Sequence, residues 1–276
     1  MKTTNKKTGL GYALALGLAL AVPVANAQIM SASESPEDVN IIGLGMGGVP
    51  DYMGSKASKR GVVPIARYQF YGTQSYFMLL GSQASYTWAN DEHWRFGPLV
   101  NFRSGRGSSV DDAVVKRMVG INGTAETGVF LAYSTKLGKD QDQQIKVSGD
   151  VAGSRNGTVG NLRMTYTLQL NQTNAINVSV GTTIANDRWM EKYFGITNAS
   201  DIALYPSLAG RPFNAGGGVK GNNVSLSLTQ ALGKSWLLLI GFRYEKLVND
   251  AKYSPITAQS GSSNQWTNSM VLSYLF

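Results

Sequence analysis

Alternation between apolar and polar side chains organises most of this chain. From Asn161 one parity reads Leu162, Met164, Tyr166, Leu168 and Leu170, and the other reads Asn161, Arg163, Thr165, Thr167 and Gln169. The pattern returns with Ile176, Val178, Val180 and Ile184 against Asn177, Ser179, Gly181 and Thr183, and again with Val224, Leu226, Leu228 and Leu232 against Asn223, Ser225, Ser227 and Thr229. Trp236, Leu238, Ile240, Phe242 and Tyr244 then alternate with Arg243 and Glu245. A period of two means strands, because successive side chains leave opposite faces. The runs last about 9 to 14 residues, longer than an average soluble strand of about 5 to 6 and matched to the roughly 9 to 11 that a tilted strand needs to cross a bilayer.

One wholly apolar face and one polar face over such lengths predict an all-β fold, an antiparallel transmembrane β-barrel of the bacterial outer membrane with lipid and lumen faces alternating. A soluble β-sandwich is the competing reading. Aromatic residues cluster near the strand ends, as a membrane-interface girdle requires: Tyr68, Phe70, Tyr71, Tyr76, Tyr86, Trp88, Trp94, Phe102, Tyr133, Trp236, Tyr244, Trp266, Tyr274 and Phe276. Candidate strands cover 39–47, 62–71, 75–88, 93–103, 122–137, 142–154, 159–170, 174–186, 221–232, 235–248 and 265–276. Eleven is odd, whereas both termini of a bacterial barrel face the periplasm, so one crossing near the N-terminus is misread. The expectation is twelve strands, with ten as the alternative. Long loops at 104–121, 187–220 and 249–264 then lie outside, and short turns near 89–92, 138–141, 171–173 and 233–234 lie inside.

Composition sharpens this picture. The 276 residues include 32 Gly, 15% charged residues, no Cys and one His. Lack of Cys excludes disulfides, thiolate metal sites and a cysteine nucleophile, and a lone His excludes zinc sites built on two imidazoles. The formal charge of +8 resembles that of a nucleic-acid binder until it is located. Lys2, Lys6 and Lys7 precede an apolar stretch from Leu10 to Val24 and a small-x-small site, Ala25-Asn26-Ala27, which together read as a secretory signal peptide. Cleavage before Gln28 removes three Lys and no acid, leaving 22 − 17 = +5 and no case for nucleic acid. The organisation expected is a signal peptide at 1–27, a short periplasmic segment at 28–38 and a barrel at 39–276.

Candidate chemistry is sparse. Gly43-Leu44-Gly45-Met46-Gly47-Gly48 superficially resembles a dinucleotide loop, but Val49-Pro50-Asp51 follows where a helix is needed, so the glycines are better read as lumen-side residues of a barrel strand. His93 sits at a turn beside Asp91 and Glu92 with no nucleophile signature. By parity, Arg67, Arg95, Arg103, Lys146, Arg163 and Arg243 point inward with Glu126, Asp150 and Glu245. An internal salt-bridge network filling a narrow barrel is the favoured reading, and a weakly anion-preferring pore the other.

Several blocks together resemble the MipA/OmpV family of MltA-interacting outer-membrane proteins. Gly43-x-Gly45 followed by Val49-Pro50-Asp51-Tyr52-Met53-Gly54-Ser55 is similar to that family's G-x-G…P-x-Y-x-G-S. Tyr193-Phe194-Gly195-Ile196-Thr197 is similar to its Y-F-G-V-T, and Asp250-Ala251-x-x-Ser254-Pro255-Ile256 with Gly261-Ser262 and Asn264-Gln265 to its D-A-x-x-S-P-I…G-S-x-N-Q. The segment from Ala203 to Gly218 departs from the family pattern. Tyr274 and Phe276, on the outward parity of the last strand, resemble the C-terminal signal read by the barrel assembly machinery. The resemblance implies an outer-membrane barrel without catalysis or cofactor. It implies a scaffold role linking a lytic transglycosylase and a penicillin-binding protein in peptidoglycan growth; the strand topology then offers the periplasmic turns, including Asn90 to His93 and Gly138 to Gln141, as the expected contacts. A narrow porin-like channel and a surface adhesin or stress-response protein are the alternatives, and lipid with lipopolysaccharide surrounds the wall in every case.

Overall fold

The structure, a computed structural model, describes residues 40–88, 92–138 and 142–276. The expected signal peptide and the segment 28–38 lie outside the described residues, as do Asn90, Asp91 and 139–141 of the turns. The strands are β1 (Ile41–Pro50), β2 (Ser58–Gln69), β3 (Tyr76–Leu80), β4 (Gln83–Thr87), β5 (Trp94–Arg103), β6 (Thr124–Leu137), β7 (Gln143–Ser154), β8 (Gly157–Gln169), β9 (Asn174–Ala185), β10 (Gly218–Leu232), β11 (Trp236–Leu247) and β12 (Asn264–Leu275). Each pairs antiparallel with its sequence neighbours, and β1 pairs with β12 from Ile41↔Leu275 to Gly48↔Asn268, closing a twelve-stranded barrel. Closure leaves no long edge to recruit another chain.

The crossing that the sequence miscounts is 75–88. It is two strands of five residues each, folded back at Gly81-Ser82, where Gly81 adopts a left-handed φ of 56°. The tip is tied into the wall on both sides, since Gly81 N–H donates to the Pro64 carbonyl at 2.8 Å and Phe102 N–H to the Ser82 carbonyl at 2.8 Å. At about 3.4 Å per residue, five residues rise only about 17 Å, so this hairpin spans part of the wall that its neighbours span whole.

Outside, the apolar parity is exposed, with Leu44, Met46, Leu131, Leu162, Val180, Leu226 and Met270 among the exposed large residues. These positions meet lipid. Aromatic pairs run along the turn end, including Tyr68 against Phe70 at 5.4 Å, Trp94 against Tyr133 at 4.9 Å and Trp236 against Tyr274 at 5.3 Å. Tyr76 is a correction to the expected girdle: it is buried, and its ring lies 4.3 Å from the Arg67 guanidinium.

The inner face is not uniformly polar. Ile41, Val49, Val63, Ile65, Met78, Leu80, Leu237, Leu239 and Val271 form one buried apolar cluster from β1, β2, β3, β11 and β12. Buried Glu126, Ser134, Arg163, Thr165, Ser179, Thr183, Asn223, Ser225 and Ser227 occupy the inside of β6 and β8 to β10. Where β1 meets β12 the wall folds tightly, and a Cβ at Gly45 would overlap the Met270 carbonyl. The inward glycines of β1 therefore serve close strand approach.

At one end of the barrel every connection is a short turn, whereas at the other three long segments, 104–123, 186–217 and 248–263, stand beside short connections such as the two-residue β7–β8 turn. The long segments carry helices α1 (Asp187–Phe194), α2 (Ala199–Ile202), α3 (Asn249–Tyr253) and α4 (Pro255–Ala258). In outer-membrane barrels the long loops are extracellular and the short turns periplasmic, so the helical end is the outer mouth.

Candidate functional site: a stoppered outer mouth

Helix α1 is amphipathic. Trp189, Met190, Tyr193 and Phe194 are buried on one face, while Arg188 and Lys192 are exposed on the other. Its start is fixed by Asn186, whose Oδ1 accepts from Trp189 N–H at 3.0 Å and from Thr158 N–H of β8 at 3.0 Å. A side-chain oxygen at this position satisfies one of the helix's unpaired amides and here also pins the helix to the wall.

Under the helix sits Glu126, fully buried. Arg103 donates Nε–H to its Oε1 at 2.8 Å and Nη2–H to Oε2 at 2.7 Å, Asn101 donates to Oε2 at 3.1 Å, and Trp189 Nε1–H donates to Oε1 at 3.0 Å. A buried carboxylate is tolerable only when its lone pairs are met in this way. The Arg103 guanidinium also lies 5.0 Å from the Trp189 ring. A second cluster joins Glu245 to Lys220 at 2.8 Å and to Arg243 at 3.7 Å. The two clusters border a cavity of about 120 Å³ beneath α1.

The blocks that carry the family resemblance meet above this cavity. Gly54 N–H donates to Gln265 Oε1 at 3.1 Å, and Gln265 Nε2 donates to the Ser55 carbonyl at 3.0 Å and the Ser262 carbonyl at 2.6 Å. Ser55 and Gly261 form a bridge in which a Cβ on Gly261 would overlap the Gly54 carbonyl. Ser254 Oγ–H donates to the Phe194 carbonyl at 2.6 Å, with Ala251 fully buried alongside α1 and Pro255 opening α4. The Asp250 carboxylate accepts from Gly216 N–H at 2.7 Å, and Gly195 ends α1. Tyr52, next to Pro50 and Asp51, donates from its hydroxyl to the Ser260 carbonyl at 3.1 Å, and the hydroxyls of Tyr205 and Ser260 are hydrogen-bonded to each other at 3.1 Å. Burial first, and then the Asp112 carboxylate, push the Tyr52 phenol well above its ordinary range, and burial does the same at Tyr205. Both remain neutral at physiological pH.

Around them Val110, Val115, Met118, Ile196 and Ile256 form an apolar core belonging to the loops alone. The loops at the outer mouth thus pack into a small folded unit with a core of its own.

The nine charges singled out from sequence are distributed along the barrel. Arg103 and Glu126 pair under α1, Arg243 and Glu245 join Lys220, and Asp150 accepts from Asn161 Nδ2 at 2.8 Å on the adjacent strand. Lys146 and Arg163 are buried lower on β7 and β8. Arg67 lies apart, donating to Gln69 Oε1 at 3.1 Å, and Arg95 donates to the Trp94 carbonyl at 3.0 Å near the turn end. Tyr274 and Phe276 are exposed at that same end. His93 Nδ1 is 2.9 Å from the Ser134 carbonyl, a backbone partner that suits a turn residue. Among the described residues no group of three His, Cys, Asp or Glu side chains could hold a metal.

Sequence reasoning missed Lys220 and Trp189. Both fall in what reads as loop 187–220, but a register shift between Val219 and Gly221 turns Lys220 inward. The one available signal for Trp189 is the apolar spacing of 189, 190, 193 and 194 after an Asn cap.

Among solved structures the chain is similar to the NanC porin, at 10% identity and a TM-score of 0.48, covering 84% of this chain and 98% of that one. An outer membrane channel from Pseudomonas putida F1 matches at 8% identity and a TM-score of 0.44, covering 90% and 100%. A FadL homologue of Pseudomonas aeruginosa matches at 7% identity and a TM-score of 0.43, covering 86% and 90%. No curated protein sequence matches the chain. The closed barrel with its apolar exterior is an outer-membrane protein. The family model for MltA-interacting protein MipA matches residues 42–276, and the chain belongs to that family.

Proposed function

We propose that this protein is a non-conducting, non-enzymatic outer-membrane scaffold. Its partners are a lytic transglycosylase and a penicillin-binding synthase, which it holds together during peptidoglycan growth. The observation that carries this reading is the stopper: α1 seated on Glu126 across the mouth, above an interior in which Arg67, Lys146, Arg163 and Arg243 are each at most 8% exposed. A barrel filled in this way acts through its surfaces. The family's name, MltA-interacting protein, supports a transglycosylase as one partner.

The partners are periplasmic, so the contact lies at the turn end. A stable interface buries about 1,200 Å² or more, which exceeds what one short turn offers. A partner therefore spans several turns, such as 70–75 and 233–235 together. Two measurements test this. The folded barrel should retain a lytic transglycosylase in a pull-down at low and moderate salt, and loss of that retention at low salt refutes the scaffold. In planar bilayers the protein should be silent. Steady conductance whose ion preference changes on Arg163→Glu establishes the channel instead.

A further inference from the structure

A cleft of about 560 Å³ opens beside the stopper, between the loop at 119–122, the β7–β8 turn and the outer face of α1 with α2. That volume lies within the roughly 300 to 1,000 Å³ of small-ligand sites. Four cations line it, Arg106, Arg155, Arg188 and Lys192, against two carboxylates, Glu191 and Asp201. Both carboxylates are already engaged with backbone amides: Glu191 Oε2 accepts from Ala215 N–H at 2.9 Å, and Asp201 Oδ1 from Val119 N–H at 2.9 Å. Among the described residues none of the four cations makes an ion pair.

Arg106 is the anchor. It is only 8% exposed, and its backbone is clamped to Ile121 by bonds of 2.8 and 2.7 Å. Its Nη1–H donates to the Tyr193 carbonyl at 3.3 Å, while its Nε is buried without a hydrogen-bond partner. A guanidinium held out of water with an unused donor is costly unless an acceptor arrives. Arg155, Arg188 and Lys192 are exposed around it, so an anion entering from outside meets exposed cations first and the buried one last. The volume far exceeds a bare oxyanion, and Asn122, Thr197 and Asn198 add neutral donors and acceptors suited to hydroxyl groups.

We propose that this cleft binds an anionic sugar, a hydroxylated ring carrying a carboxylate or phosphate, at the outer face of the protein. The site does not depend on the scaffold's partner contacts, which are placed at the opposite end of the barrel. Calorimetric titration of the folded full chain in detergent with glucuronate, glucose 6-phosphate and glucose tests it. At least one of the two anions should bind while neutral glucose does not, and affinity should fall with added salt, because exposed charges are screened. Arg106→Gln should weaken binding at least tenfold. The exposed pair Arg188→Gln with Lys192→Gln should do the same, and it keeps the test decisive if the buried substitution impairs folding. Competition by a delipidated, phosphorylated lipopolysaccharide core assigns the sugar to the surrounding membrane, and binding without such competition assigns it to solution; either supports the site. Equal binding of glucose, binding of neither anion, or affinity unchanged in the exposed double variant overturns it.

Discussion

Val63, Ile65, Met78, Leu239 and Val271 pack on one another inside β1 to β3, β11 and β12, whereas the inside of β6 to β10 is lined mainly by Ser, Thr, Asn and charged side chains. Both sectors fill the same narrow barrel. The apolar one does so as a soluble core does, through close contact that imposes no demand for partners. The polar one must satisfy each buried group individually, as Glu126 shows with four donated hydrogen bonds from Arg103, Asn101 and Trp189. The helical stopper is seated on the polar sector, where directional bonds can hold it in one pose. Shape and fill come from one side of the barrel, and address comes from the other.

This contrast can be broken most severely at Glu126. Glu126→Ala leaves the largely enclosed Arg103 without its carboxylate, and removing one partner of such a pair costs up to about 3 to 5 kcal/mol. Urea unfolding followed by tryptophan fluorescence should show that loss, together with greater quenching of Trp189 by added acrylamide. In the apolar sector Met78→Ala removes a side chain only 1% exposed and should cost about 2 to 5 kcal/mol with no change in Trp189 quenching. If quenching rises equally in both variants, the two sectors do not have separate roles. Gly45→Ala, which forces a Cβ against the Met270 carbonyl, should cost about 1 to 3 kcal/mol and slow barrel closure, read from heat-dependent gel mobility. Ser254→Ala should cost about 1 kcal/mol, since it deletes one hydrogen bond to Phe194, and hydrogen exchange should quicken at the end of α1 and not in the strands.

The wall was largely legible because lipid outside and a crowded lumen inside impose strict alternation. The β3–β4 hairpin was not. Its Gly81-Ser82 signal was in the sequence, but the alternation on either side and the length expected of a membrane-crossing strand fuse the two halves into one crossing. The apolar sector was equally hidden. Leu237 and Leu239 interleave with Leu238 and Ile240, and a strand apolar on both faces loses the contrast by which parity is read. At the mouth, the motif residues Tyr52, Gly54, Ser254 and Gln265 were identifiable by resemblance, but their meeting was not, because it depends on loops more than 200 residues apart, such as Gly54 and Gln265. Lys220 needed an irregular strand that no pattern in the sequence marks.

The seam between β1 and β12 bears on how the protein is made. The pairs that close the ring run from Gly48 with Asn268, 220 residues apart, to the still more distant Ile41 with Leu275, which makes this the least local strand pairing of the barrel. Local hairpins gain their contacts early, whereas loop-closure entropy delays pairings so distant in sequence. Until the last strand arrives, β1 and the growing end both present unpaired backbone to any passing strand. Gly43, Gly45 and Gly47 on the inward parity of β1, where a Cβ would overlap backbone carbonyls of β12, let that late strand settle close. The same economy makes this the point in biogenesis where the chain is most exposed to mispairing.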